Sequence, residues 1–118
     1  MPNFDLRNIF PTGEIVDVST ASSVRIPITD DMEGEVINVT TVLGGTIATA
    51  PAVITVSKGN LSMGTISILH TGSAEGDMDS LVPTSANRHL VAGDWLELTT
   101  SGASTNTIAA GFSVTIRR

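Results

Sequence analysis

Two histidines, His70 and His89, are the side chains of this sequence best suited to moving a proton near neutral pH. Catalysis by either would need a nucleophile or second base held within hydrogen-bond reach by an orienting partner. His70 ends an apolar alternating segment just before Thr71-Gly72, and His89 follows the polar stretch Ala86-Asn87-Arg88. No HxH, HExxH or GxSxG spacing ties either to a second ligand or a nucleophile. They read as loop-end histidines with no shared role.

Carboxylates are the next candidates. Glu75-Gly76-Asp77-Met78-Asp79 places acids at alternating positions, and hard cations such as calcium take oxygen ligands of this kind. The stretch lacks the further ligands and the turn of a calcium loop. If Asp77 and Asp79 lie in a strand, they share a face and form its solvated edge. The second cluster, Asp30-Asp31-Met32-Glu33-Gly34-Glu35, has the charge to attract a cation or a basic surface. A solvated turn that keeps sheet edges from pairing accounts for it more simply. In Ala92-Gly93-Asp94-Trp95 the glycine permits a positive φ, and the aspartate can accept from nearby backbone N–H groups. Asp94 is therefore expected to hold a turn. Gly44-Gly45 precedes no helix and makes no phosphate cradle. No catalytic residue, cofactor site or metal site is predicted.

The elements that carry these residues are strands. Val, Ile and Thr dominate the apolar segments, with Gly, Ser, Asn and Pro between them, and no window has apolar residues at helical spacing. Period-two reading predicts strands over 14–19, with Val16 and Val18 on one face, and over 24–29, with Val24, Ile26 and Ile28. Pro27 marks the latter as an edge strand or a bulge. Further strands are expected over 35–43 (Ile37, Val39 and Leu43 inward), 52–58 (Ile54, Val56) and 61–70 (Ile66, Ile68). The last are 77–82 (Met78, Val82), 94–100 (Leu96, Leu98) and 110–117 (Phe112, Val114, Ile116). This makes about eight strands of roughly 5–9 residues. The expected fold is all-β, a single antiparallel β-sandwich of jelly-roll type.

Residues 1–12 develop no strand alternation, yet they hold two of the three phenylalanines, Phe4 and Phe10, together with Leu6 and Ile9. They are expected to form an extended N-terminal arm on a 13–118 sandwich domain. Either the arm covers its own sandwich or it docks on a neighbour.

Length and charge narrow the function. At 118 residues one domain can bury a core without staples, and the absence of cysteine removes disulfides and thiolate metal sites. The start Met1-Pro2-Asn3-Phe4-Asp5 lacks the basic and apolar regions of a secretory signal, and no apolar run approaches the ~20 residues that span a bilayer. Net charge is −6 with only six basic residues, scattered along the chain. A polyphosphate backbone needs Lys and Arg gathered on one surface, so neither nucleic acid nor membrane is expected as a partner. Aromatic content is low, which argues against a sugar-binding surface built of stacked rings.

The residues from Gly59 to Arg118 resemble the small β-sandwich decoration proteins of tailed-bacteriophage capsids, also called cement or head-fibre proteins. The resemblance lies in Met63-Gly64-Thr65-Ile66-Ser67-Ile68, in Gly72-Ser73-Ala74-Glu75-Gly76-Asp77 and in Pro83-Thr84-Ser85-Ala86-Asn87. It continues through Val91-Ala92-Gly93-Asp94, Gly102-Ala103-Ser104-Thr105-Asn106 and Phe112-Ser113-Val114-Thr115-Ile116-Arg117-Arg118. The resemblance implies a non-catalytic virion structural protein, made in the host cytoplasm and placed on the capsid exterior. It implies a homotrimer whose partner is the major capsid protein or a neighbouring virion protein. Within that picture Phe4, Leu6, Ile9 and Phe10 are the expected capsid or oligomer contacts. The alternative is a receptor- or glycan-binding module of a tail fibre or spike, reading its ligand through loops 71–77, 84–90 and 101–106 near Trp95 and His89.

Overall fold

A computed structural model describes residues 8–118, and these form ten strands and two single 3-10 turns. The strands are β1 (Asn8–Ile9), β2 (Thr12–Ile15), β3 (Ser22–Pro27), β4 (Gly34–Leu43) and β5 (Ala52–Lys58). They continue as β6 (Leu61–Ile68), β7 (Met78–Leu81), β8 (His89–Leu90), β9 (Trp95–Thr100) and β10 (Ala110–Arg117). The chain is all-β, with two antiparallel sheets face to face. In the first sheet β10 and β4 are central, β7 and β8 pair along the far edge of β4, and β1 and β2 share the far edge of β10. The second sheet has the order β3-β9-β5-β6.

The pairings β2·β10, β3·β9, β4·β7 and β5·β6 nest inside one another. A long hairpin folded over on itself in this way is a jelly roll. Setting aside the two-residue strands β1 and β8, eight strands build it, as the periodicity predicts.

The core lies between the sheets. Ile54, Val56, Ile66, Ile68, Leu96 and Leu98 of the second sheet meet Val36, Val39, Leu43, Phe112, Val114 and Ile116 of the first, all buried. β-branched residues fit here because their stiff χ1 matches a pleated, half-buried surface. β3 pairs only with β9, so Pro27 stands on an edge strand, where its missing N–H breaks no central ladder.

Three expected faces are corrected. On β4 the register with β10 slips, Thr115 pairing with Asn38 and Ile116 with Val36, so Ile37 is the extra residue of a bulge. Val36 and Val39 are both buried and Ile37 only partly so, a change of phase that a strict period of two cannot show. Val16 lies beyond the end of β2 and is 75% exposed, while Ile15 and Val18 are buried. Met78 on β7 and Val82 just past its end are 67% and 65% exposed, and Leu81 is the residue that packs on the core. Within the segment read as an arm, Asn8–Ile9 pairs with Arg117 and Ile116 at the edge of β10, and Thr12 opens β2.

Candidate binding surfaces

The strands run between two ends of the sandwich. One end gathers the β3–β4 connection, the tight turn at Gly59, the 82–88 connection and the 91–94 turn. The opposite end gathers 16–21, 44–51, 69–77 and 101–109. This division decides which sequence-predicted residues meet.

The histidines do not meet. His70 follows β6 at the second end, where its Nδ1 is buried without a hydrogen-bond partner. His89 is paired with Glu35 at the first end. The acidic clusters are occupied by local structure. Asp77 Oδ2 accepts from the backbone N–H of Ala74 at 2.8 Å and closes its own turn. Asp79 is half-buried, and burial together with the charge of Asp77 pushes its pKa up. Among the described residues no three His, Asp or Glu side chains gather as a metal site.

In the other cluster, Glu33 accepts from the N–H of Ala92 at 2.7 Å. Glu35 takes Arg88 Nε at 2.6 Å and Arg117 at 3.3 Å, and these partners hold its carboxyl below the usual range. Asp94 Oδ2 accepts from the N–H of Val91 at 2.8 Å and Gly93 has a φ of +95°, so the turn is held as its residues predict.

Of the expected contact residues, Phe4 and Leu6 lie outside the described residues. Ile9 is half-buried and packs on the core, and Phe10 is 61% exposed beside it. The loops named for ligand reading are split: 84–90 lies at the first end, 71–77 and 101–106 at the second. Asn106 Nδ2 donates to the carbonyl of Thr46 at 3.0 Å and Thr46 Oγ1 donates to that of Ser73, joining the latter two loops through 44–51.

Two surfaces remain. The first is the outer face of the first sheet. Because Val39, Thr41, Leu43, Phe112 and Val114 point inward, their neighbours Thr40, Val42, Ser113 and Thr115 point out, next to Met78 and Ser80 of β7. None of these side chains is charged, in a chain of net charge −6. The charged groups stand at its margins, Glu14 on β2 and the Arg117–Glu35–Arg88 network at the first end.

The second surface is on the other sheet. Trp95 is 41% exposed and stands opposite Pro27 on β3, and with Arg25 they line an open depression. The indole Nε1 donates to Glu97 Oε1 at 3.2 Å, and Arg25 Nε donates to the same oxygen at 2.8 Å. Thr99 Oγ1 donates to Glu97 Oε2 at 3.2 Å, and Ser23 and Thr99 share a hydroxyl contact at 2.9 Å. Arg25 above all, with the indole and Thr99, keeps the Glu97 carboxyl ionised below its usual range. Alternation along Trp95-Leu96-Glu97-Leu98-Thr99 already puts three of these groups on one face. Nothing local in sequence brings Arg25 and Pro27 to them.

Neither a protein-family model nor a curated protein matches this sequence. Among solved structures, a chain of the acidic stable capsid structure of Helicobacter pylori bacteriophage KHP30 is similar. Its TM-score is 0.56 at 14% identity, and the match covers 94% of this chain and 87% of that one. At this identity the likeness is one of fold.

Proposed function

We propose that this chain is a structural protein of a phage virion that decorates and stabilises the capsid, without catalytic activity. The observation that carries the reading is the shared fold over nearly the full length of both chains with a chain from a phage capsid structure. The uncharged middle of the first sheet's outer face supports it. Two copies of a strongly acidic chain repel, and repulsion is least where no charged side chain stands on the meeting surfaces. Val42 and Met78 on that face supply apolar area for such contact. The assembly proposed is a homotrimer on the capsid exterior, bound to the major capsid protein or a neighbouring virion protein. Phe4, Leu6, Ile9 and Phe10 are the proposed contacts to shell or neighbour. Many weak attachments acting together hold such a layer in place.

The test has two parts. Light scattering of the purified protein gives its oligomeric mass, and mass spectrometry of purified virions gives its copy number. A trimer in solution and a copy number commensurate with the capsid lattice are expected. A monomer that is absent from virions would sink the proposal.

A further inference from the structure

We infer that the outer face of the second sheet binds a neutral hexopyranose, stacked on Trp95 and hydrogen-bonded by Arg25 and Glu97. The inference stands independently of the virion role.

The indole is held before any ligand arrives. Its Nε1 is fixed to Glu97, and its six-membered ring lies over the Gly59 turn, where a Cβ would stand 3.3 Å from Cζ2. Gly59 has a φ of +57°, so the tight turn passes beneath the ring without a side chain to displace it. A ring already held in place loses little freedom on binding, which raises the affinity available from one stacked contact. The scarcity of aromatic residues counts against an extended aromatic surface. It does not count against a single pre-set ring.

The surrounding groups match the hydroxyls that rim a pyranose. Its C–H face offers apolar area to the indole and Pro27, and its edge needs donors and acceptors in alternation. Arg25 engages Glu97 through Nε, and its side chain is 68% exposed, which leaves the terminal guanidinium nitrogens facing solvent as donors. Glu97 Oε1 already accepts from Arg25 and the indole, so Oε2, which accepts from Thr99 Oγ1, supplies the remaining acceptor lone pair, and the Ser23 and Thr99 hydroxyls extend the row. A small number of polar groups converging beside an apolar patch is the usual make-up of a small-ligand site. Arg25 and Glu97 cancel in charge, and the chain carries −6 overall, so an anionic saccharide or a phosphate-bearing ligand is disfavoured.

Trp95 is the sole tryptophan, so its emission reports on this site alone. The protein is screened on an array of neutral and anionic oligosaccharides and against a single-stranded oligonucleotide, and hits are titrated by fluorescence and by amide NMR. A saturable emission change is expected, with a Kd of about 0.1–1 mM and shift changes confined to β3, β9 and the Gly59 turn. Trp95→Ala, followed by NMR, should weaken binding at least about tenfold, and Arg25→Ala and Glu97→Gln about fivefold. Met78→Ser on the opposite sheet should leave it unchanged, and thermal melts confirm that each variant is folded. Silence across the array would overturn the inference. So would binding that survives Trp95→Ala, shifts centred elsewhere, or a response to anionic saccharides or single-stranded nucleic acid alone.

Discussion

The backbone N–H of Val114 donates to the carbonyl of Pro11 at 2.9 Å, bridging the gap between β1 and β2 along the edge of the last strand. Residues 8–15 therefore run beside β10 for most of its length, with Ile9 against the core. Deleting residues 2–11 should cost about 2–4 kcal/mol, from the lost ladder bonds and the buried part of Ile9. Urea unfolding measures this, and an unchanged midpoint would mean that the edge contributes nothing. A deletion of this kind cannot separate attachment from folding. Phe10→Ser can, because the side chain is mostly exposed, and it should weaken virion binding with little change in melting temperature.

Acid should weaken the fold through its paired carboxylates. Glu35 is held down by Arg88 and then Arg117, Glu97 by Arg25, and Asp17 by Ser19 and Thr20. A carboxyl whose pKa is lower in the folded state stabilises above its unfolded pKa, and that stability is lost as pH falls through the folded value. Melting temperature should drop below about pH 4. Glu35→Gln should lower it by a few degrees at neutral pH and hardly at all in strong acid. A pH profile of melting for the two proteins decides.

Asp79 has the opposite sign. Burial first and Asp77 second raise its folded pKa, so protonation favours the fold. Its favourable contribution is present below the unfolded pKa and is lost as pH rises through the raised folded value. Asp79→Asn should stabilise the protein by about 0.5 kcal/mol at neutral pH, within the range of partly exposed sites. The gain should vanish near the acid end of the same profile, and a loss of stability at neutral pH would contradict the assignment.

Two glycines with positive φ should respond unequally. A Cβ on Gly102, at φ +73°, would stand 2.5 Å from the backbone nitrogen of Ala21, while Gly93, at φ +95°, faces open space. Gly102→Ala combines backbone strain with a clash against main chain and should cost about 2–4 kcal/mol. Gly93→Ala carries strain alone and should cost about 1 kcal/mol. Equal midpoints for the two variants in denaturant would refute the distinction.

The interior strands were legible from alternation alone. Ile54 and Val56, Leu96 and Leu98, and Phe112, Val114 and Ile116 are buried as their spacing predicts, and Pro27 marks an edge. Alternation failed where the backbone leaves a strict two-residue period. The bulge at Ile37 reverses phase within β4, and Val16 lies past the end of its strand. On β7 the alternation was right and the phase wrong, because Met78 looks as apolar as a core residue until its outward position is known.

Local chemistry, then, was set by the sequence itself: the all-β class, the approximate strand count, and the Val91–Asp94 turn held by Asp94. It also placed Trp95, Glu97 and Thr99 on one side of a strand, since side chains two apart must share a face. Only the tertiary structure brought Arg25 to Glu97 across 72 positions, drew 8–15 into the sheet, and left the middle of the first sheet's outer face uncharged. These depend on which strands pair and in what register. Register follows from burying both sheets at once, a condition on the whole chain that no single segment contains.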